Sequence, residues 1–200
     1  PPGYQLSSGQ LINSSGHVAG ELTFFAGQSG KSHLFRHTPG EGMLVLPTMG
    51  STHQSLSDMN DAGTIIGENY TMGSAYRAFV FSDETGMLLL PTLGGSSTTA
   101  RDINNAGQIV GGSWTSDGKN RAALWQDGRA IDLGTLGGDH SIAYGINDAG
   151  MVVGAAQTAT GAYRAFVWTA EAGMQALPEL PGTFDAHAKC VTETGVIVGT

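Results

Sequence analysis

Short apolar segments alternate with polar, glycine-rich segments along the whole chain. The pattern is clearest in the middle: residues 108–114 are β-branched and aromatic, residues 115–119 are polar, and residues 120–125 are apolar again. β-branched and aromatic residues favour strands, whereas Gly with Asn or Asp favours the tight turns of hairpins. We therefore expect short antiparallel strands joined by turns. In this part of the chain the predicted strands lie at 97–104, 108–114, 120–125 and 129–133.

The same pattern recurs four and a half times. Its most constant part is a turn of the form Ile/Met-Asn-x-x-Gly, which occurs at 12–16, 59–63, 103–107 and 146–150, with a degenerate version at 191–195. A period of 43–47 residues with four short strands in each copy is typical of propeller blades. Conserved spacing of this kind indicates structural turn residues. Those predicted in the three central copies are Asn60, Gly63, Asn104, Gly107, Asn147 and Gly150.

The sequence therefore predicts an all-β fold: a β-propeller, or part of one, with about five four-stranded antiparallel blades. The whole chain forms one repeat domain, and the last blade is incomplete. Because the last copy stops at an apolar strand, we expect the natural protein to continue past Thr200. The alternative is a five-bladed ring with an incomplete blade. The predicted repeat units are approximately 5–54, 55–98, 99–141, 142–186 and the partial unit 187–200.

Side-chain size suggests an order for the strands of a blade. In the first strand, small residues such as Ser141, Ala143 and Gly145 alternate with larger ones, which suits a strand crowded around a central axis. The third strand carries large side chains such as Phe79 and Phe166. We expect this strand to lie further out, where bulky groups pack between neighbouring blades.

The charge and composition of the chain argue against two classes of binding partner. The formal charge is −8 and only 13% of residues are charged, which argues against a nucleic-acid footprint and against docking on anionic lipid. No apolar run is long enough for a membrane helix, and no signal peptide is visible. We expect that a leader peptide was removed from the mature protein or lies before Pro1 in the natural sequence. The single cysteine, Cys190, excludes an internal disulfide framework. Low charge and many small polar residues favour an exported protein.

Several phrases resemble the HAF family of bacterial extracellular repeats. They are Tyr-Arg-Ala-Phe-Val-Phe/Trp at 76–81 and 163–168, Asp-Leu-Gly-Thr-Leu-Gly-Gly at 132–138, and Ile-Asn-Asp-Ala-Gly at 146–150. The first copy has His-Leu-Phe at 33–35. The likeness covers residues 5–200. It implies a bacterial periplasmic or extracellular location and a β-rich array, and it brings no catalytic residues.

Three arginines occupy the same position in successive copies of the repeat. Arg77, Arg121 and Arg164 are predicted to be structural, because a guanidinium stacks on aromatic rings and reaches backbone carbonyls.

Five loop residues that precede the first strands are expected to meet at one mouth of the ring, either as a binding rim or as ordinary solvated side chains. Three histidines would suit zinc or another transition metal, but we predict no metal and no cofactor. The candidate rim residues are His53, Asp139, His140, Asp185 and His187.

Sites for phosphate, for calcium and for glycoside cleavage have weaker support in the sequence. The stretch 27–32 (Gly-Gln-Ser-Gly-Lys-Ser) resembles a phosphate loop, but Phe25 stands where the motif needs Gly. The Asn-rich turns offer oxygens to a cation without the alternating carboxylates of a calcium loop. Asp58 and Asp102 are repeat-equivalent carboxylates that a glycoside-cleaving enzyme would need in a pair. No serine-hydrolase or zinc-protease motif is present.

We therefore expect a non-catalytic, extracytoplasmic scaffold or interaction module that binds a protein partner. One form would be an extrinsic subunit of a larger membrane-associated complex, with no span of its own. The first alternative is a lectin-like carbohydrate-binding propeller that uses Trp114, Trp125 or Trp168 as stacking platforms. The second is a propeller enzyme acting on glycosides.

Overall fold

The fold is all-β. A computed structural model describes residues 6–23, 32–70, 75–179, 182 and 185–200, and these residues contain eighteen strands and no helix. The strands form four four-stranded antiparallel sheets and one two-stranded hairpin. The predicted four-stranded antiparallel sheets are thus confirmed. By internal contacts the chain divides into two compact units, Pro1–Leu89 and Leu90–Thr200.

The first unit contains two sheets, and in each the strands follow one another in chain order. Within each sheet every strand pairs antiparallel with the next. The strands of the first sheet are Leu6–Ile12 (β1), Val18–Thr23 (β2), Ser32–Thr38 (β3) and Gly42–Val45 (β4). Those of the second are His53–Met59 (β5), Ile65–Tyr70 (β6), Arg77–Ser82 (β7) and Gly86–Leu89 (β8).

The second unit contains two more sheets of the same design and a final hairpin. The third sheet consists of Gly94–Ile103 (β9), Ile109–Thr115 (β10), Asn120–Gln126 (β11) and Arg129–Asp132 (β12). The fourth consists of Gly137–Ile146 (β13), Val152–Thr158 (β14), Tyr163–Thr169 (β15) and Gly173–Ala176 (β16). The hairpin pairs Ala188–Val191 (β17) with Ile197–Gly199 (β18).

The Asn-x-x-Gly turn joins the first and second strands of each copy. In the third sheet the amide of Gly107 donates to the carbonyl of Asn104 at 3.0 Å, and the amide of Asn104 donates to the carbonyl of Gln108 at 3.0 Å. Gly107 has φ +78°, a conformation that L side chains rarely adopt. The Asn104 Oδ1 accepts from the Gln108 amide at 2.9 Å, so the side chain closes the loop from inside.

Aromatic and aliphatic side chains fill the space between consecutive sheets within each unit. In the second unit, Phe166 of β15 is fully buried in a cluster with Val110 and Leu133 of the third sheet. In the first unit, Phe79 of β7 is fully buried with Leu34 and Leu46. Each such phenylalanine stabilises the packed sheets by about 1.5–3 kcal/mol of burial. No helix in the described part of the chain is long and apolar enough to cross a membrane.

Candidate functional site

The recurring asparagines bond to the next copy of the repeat. In the first unit the Asn13 Nδ2 donates to the carbonyl of Asn60 at 2.8 Å. In the second unit the Asn104 Nδ2 donates to the carbonyl of Asn147 at 3.0 Å, and the Asn147 Nδ2 to the carbonyl of Thr192 at 3.1 Å. Each side chain thus satisfies its own turn with Oδ1 and the following turn with Nδ2. The most constant polar residue of the sequence holds consecutive copies together.

The acidic residue that follows the asparagine has a similar role. In the second unit the Asp148 Oδ1 accepts from the Asn105 amide at 2.7 Å, and the Glu193 Oε2 accepts from the Asp148 amide at 3.0 Å. In the first unit the Asp61 carboxylate accepts from the amide of Ser14 at 3.2 Å. These exposed carboxylates are acceptors for the preceding copy of the repeat.

Asp102 is bound to backbone amides on both of its oxygens. Its Oδ1 accepts from the Ile103 amide at 2.9 Å, and its Oδ2 accepts from the Ile146 amide at 2.8 Å. The residue lies where the register of β9 against β10 shifts. It therefore fastens the irregular end of one first strand to the next. Asp58, its counterpart in the first unit, lies at the same kind of shift, between β5 and β6.

The arginines of the repeat lie at the start of each third strand. Arg164 pairs with Glu179 of its own copy, and its Nη1 donates to the carbonyl of Tyr163 at 3.1 Å. In register, Arg121 lies opposite Ser113 and Arg77 opposite Asn69. The contacts of Arg164 with Glu179 and Tyr163 lie within its own copy.

A buried arginine that sequence reasoning missed joins the two sheets of the first unit. The Arg36 Nη2 donates to both carboxylate oxygens of Asp83 at 2.6 and 2.7 Å, and its Nη1 donates to the carbonyl of Gly63 at 3.1 Å. The guanidinium also lies 5.6 Å from the ring centre of Phe81. The other copies have Val or Leu here. A single charged residue at a repeat position that is otherwise apolar was the sequence signal that could have identified Arg36.

Asp139 and His140, two of the predicted rim residues, contact the end of the third sheet. Asp139 forms an ion pair with Lys119 at 2.8 Å, and the hydrogen bond lowers the pKa of the carboxyl and raises the pKa of the amine. The His140 Nδ1 accepts from the Asn120 amide at 3.1 Å. His53, in the first unit, is the exposed first residue of β5 and lies opposite Tyr70.

His187 and Asp185, the other two predicted rim residues, lie in an aromatic cluster before β17. The His187 ring stacks on Tyr163 at a centroid distance of 5.8 Å and lies 6.1 Å from Tyr144. The Lys189 Nζ lies 3.9 Å from the centre of the Tyr144 ring. Burial, followed by the charge of Lys189, lowers the pKa of His187, whereas Asp185 opposes the shift. The Asp185 carboxylate also accepts from the amide of Tyr163 at 2.8 Å.

These candidate residues separate into two groups in the second unit. Asp139 and His140 make their contacts with Lys119 and Asn120, whereas His187 stacks on tyrosines. Within the described ranges, no three His, Cys, Asp or Glu side chains come together as a metal-binding group. The stretch 27–32 that resembled a phosphate loop lies outside the described residues except for Ser32.

The three tryptophans differ sharply in exposure. Trp125 is buried, and its Nε1 donates to the carbonyl of Pro91 at 2.7 Å. Trp168 packs against the core of the second unit. Trp114 is 43% exposed and borders an open depression of about 490 Å³ together with Gly95, Ser96 and Ser116. Trp114 is therefore the most exposed of the three rings and the best placed as a stacking platform.

The outermost strands carry exposed apolar side chains at one repeat position. Leu44 on β4, Leu88 on β8 and Ile131 on β12 are 45%, 50% and 41% exposed. These four-residue strands form the outer edges of their sheets, so their backbone groups on one side have no strand partner within the sheet. An apolar side chain beside an open backbone edge is a feature of interaction surfaces.

A final cavity lies beside the hairpin at the end of the second unit. It measures about 370 Å³ and opens next to His187. Its walls come from β15, from the residues directly after β16, and from the final hairpin with the residues directly before it. The lining includes Ala165, Leu177, Ala188, Ile197, Gly199 and Thr200.

Comparison with known proteins identifies a fold and no family. No protein-family model matches the chain, and no curated protein sequence matches it. Among solved structures, the chain is similar to TolB from Acinetobacter baumannii, with a TM-score of 0.55 and 14% identity over 87% of this chain. The match covers 43% of the TolB chain, so this chain spans less than half of that structure. The likeness shows a TolB-like, propeller-type all-β fold.

Proposed function

We propose that this chain is a non-catalytic interaction module, a set of propeller blades of the HAF type that binds a protein partner outside the cytoplasm. The observation that carries the proposal is the recurrence of exposed apolar residues on the outer strands. Leu44, Leu88 and Ile131 occupy one repeat position and lie beside open strand edges. A binding surface made in the same way in several copies suits an extended protein partner.

The use of the recurring polar residues supports the same proposal. Asn104, Asn147 and Asp102 bond to backbone groups of the neighbouring copy. These contacts give the recurring polar residues a structural role, as a scaffold requires. The TolB-like fold adds support at the level of architecture. We propose a ring-like arrangement of about five blades on the strength of the repeat period. The HAF resemblance is the ground for proposing a periplasmic or extracellular bacterial location.

The test is gentle extraction of the protein from its source, followed by size exclusion with light scattering and mass spectrometry of the co-eluting proteins. We expect co-elution with a partner at fixed stoichiometry, in a membrane-associated complex. A protein that elutes alone, or only as a small multiple of itself, would contradict the proposal. The surface is tested by replacing Leu44, Leu88 and Ile131 with Ser, which should release the partner. Val196→Ser, at a 57% exposed turn residue, is the matched control that should retain it.

Carbohydrate binding is a second candidate, and Trp114 favours it. The exposed ring borders the 490 Å³ depression with hydroxyls from Ser96, Thr115 and Ser116. Aromatic faces stack on the apolar faces of sugars while hydroxyls exchange hydrogen bonds. A glycan array gives the test: specific binding that Trp114→Ala abolishes, and Trp168→Phe leaves intact, would favour the lectin.

A further inference from the structure

One repeat position of the second unit carries a cation, an aromatic ring and a second cation in successive copies. It lies three residues before the turn asparagine, or before the threonine that replaces it in the last copy. We call the three residues at this position the cationic row: Arg101 on β9, Tyr144 on β13 and Lys189 on β17. The first unit has Gln10 and Ser57 at the same position. Because two copies have uncharged side chains there, the repeat does not need a charge at this position to fold.

The strands that carry the cationic row lie side by side within the second unit. Asp102 of β9 accepts a hydrogen bond from the Ile146 amide of β13 at 2.8 Å. A Cβ added at Gly145 of β13 would lie 3.2 Å from the Cα of Cys190 on β17. Asp102, Gly145 and Cys190 each directly follow a residue of the row in the sequence. The row therefore runs across three neighbouring first strands, with Tyr144 on the middle one.

The amine of Lys189 is held against the aromatic ring of the preceding copy. Its Nζ lies 3.9 Å from the centre of the Tyr144 ring, a distance at which a cation is attracted to the ring face. The tyrosine hydroxyl in turn lies 3.4 Å from the His187 Nδ1. Tyr144 is half-buried, whereas Arg101 and Lys189 are exposed. The ring thus positions one of the two cations and leaves both accessible to a ligand.

The two cations of the row differ from the paired cations of the same unit. Lys119 and Arg164 form ion pairs with carboxylates. Among the described residues, Arg101 and Lys189 form no ion pair. The nearby carboxylate of Asp102 already accepts from two backbone amides. Because the chain as a whole carries a formal charge of −8, most of its surface repels an acidic ligand, which is attracted where cations lie exposed.

We propose that the cationic row binds an acidic, extended segment of the protein partner. Carboxylates of the segment pair with Arg101 and Lys189, and the segment crosses the Tyr144 ring between them. Since β13 lies between β9 and β17, a ligand that contacts both cations is longer than a single carboxylate. Alternate side chains of an extended segment point to the same face, so acidic residues at alternate positions present their carboxylates together. This inference rests on the proposed function, because the acidic segment belongs to the protein partner.

The test uses a fluorescently labelled peptide of alternating Glu and Ser residues and a matched peptide of alternating Gln and Ser residues. Anisotropy at low ionic strength measures their binding to the whole chain, and backbone NMR maps the site. We expect saturable binding of the Glu peptide alone, amide shifts on β9, β13 and β17, and weaker binding as salt is added. No binding up to about 1 mM, equal binding of both peptides, or shifts confined to other strands would overturn the proposal. Free glutamate that displaces the peptide at an equal concentration of carboxylate would assign the row to small anions and would also overturn it.

Protein variants with one charge removed add a second arm to the test. Arg101→Gln and Lys189→Gln should each weaken binding of the Glu peptide by up to about fivefold, and the double variant should weaken it further. Arg129→Gln removes an exposed cation from the outer strand β12 and is the matched control, because it changes the net charge equally. An equal loss for Arg129→Gln would show that net charge alone attracts the peptide, and would overturn the site.

Co-elution of the partner separates this inference from the proposed function. A partner that co-elutes with the protein and still binds the double variant would leave the interaction module in place and remove only the site for an acidic segment. If the protein elutes alone and the Glu peptide still binds to the row, the proposed function fails and the acceptor for acidic segments remains.

Discussion

At the scale of single residues, the turn asparagine at positions 13, 104 and 147 makes more contacts than a turn residue needs. Its Oδ1 closes the local loop, which the Asn-x-x-Gly pattern indicates. Its Nδ2 reaches the following copy, 43 to 47 residues away. Sequence alone shows that the asparagine recurs. It does not show the second bond, because that bond depends on how neighbouring copies stack.

Asn147 offers a direct test of this double role. It is 2% exposed, accepts from the Met151 amide at 3.0 Å and donates to the carbonyl of Thr192. Asn147→Ala leaves that amide and carbonyl without these bonds, so we expect a loss of about 1–3 kcal/mol in the free energy of unfolding. Asn105→Ala, at an exposed asparagine, should cost less than about 1 kcal/mol. Urea unfolding curves measure both, and equal losses would contradict the role given to Asn147.

His187 gives a pH prediction. Its pKa is lowered below the ordinary 6.5 by burial and then by Lys189. Between the lowered folded value and 6.5 the unfolded chain binds more protons, so stability falls as the pH drops through this window. NMR titration should show a midpoint below 6.5, moved upward by Lys189→Gln and downward by Asp185→Asn. A midpoint that neither variant moves would show that these charges do not act on the ring.

Arg36 shows why some residues of the scaffold escape prediction. A single arginine in a column of Val and Leu marks the position as unusual. Its partner Asp83, however, lies 47 residues away in a turn that carries no signal of its own. Only the packing of β3 against the following sheet brings the guanidinium and the carboxylate together. The same limit applies to the contacts of the His187 ring with Tyr144 and Tyr163, because these side chains come from different copies of the repeat.

At the scale of elements, the alternation of apolar segments and turns predicted the strands well. The strands predicted at 108–114, 120–125 and 129–133 correspond to Ile109–Thr115, Asn120–Gln126 and Arg129–Asp132. The first strand was predicted too short, since it spans Gly94–Ile103. Its beginning is glycine- and serine-rich, a composition that favours a loop. Pairing of Gly94, Thr98 and Thr99 with β10 overrides that local preference.

Two adjacent glycines of β10 test how closely the strands approach. A Cβ at Gly111 would lie 1.9 Å from the carbonyl oxygen of Thr99, a clash with backbone. A Cβ at Gly112 would meet only side-chain atoms at 3.0 Å or more, and the next copy has Ala155 there. We expect Gly111→Ala to cost about 3 kcal/mol or more and Gly112→Ala less than about 1 kcal/mol. Thermal or urea unfolding measures both losses of stability. A larger loss for Gly112→Ala than for Gly111→Ala would contradict this close approach of the strands.

At the scale of the whole molecule, the repeat architecture makes the stability of each copy depend mainly on its own strands and on its contacts with neighbouring copies. Each four-stranded sheet buries its apolar face against a neighbouring copy, and a copy with fewer strands has fewer such contacts. In the second unit, β14 lies between β13 and β15, whereas β18 pairs with β17 alone within the described chain. Val152 and Val153 are fully buried, whereas Val198 is 53% exposed. A two-stranded hairpin of this kind is marginal without further packing.

Hydrogen exchange should resolve this difference residue by residue. We expect the amides of Ile197–Thr200 to exchange much faster than their equivalents in Val152–Ala155, because opening the hairpin breaks fewer contacts than opening the fourth sheet. Equal protection of β18 and β14 would contradict this difference in local stability.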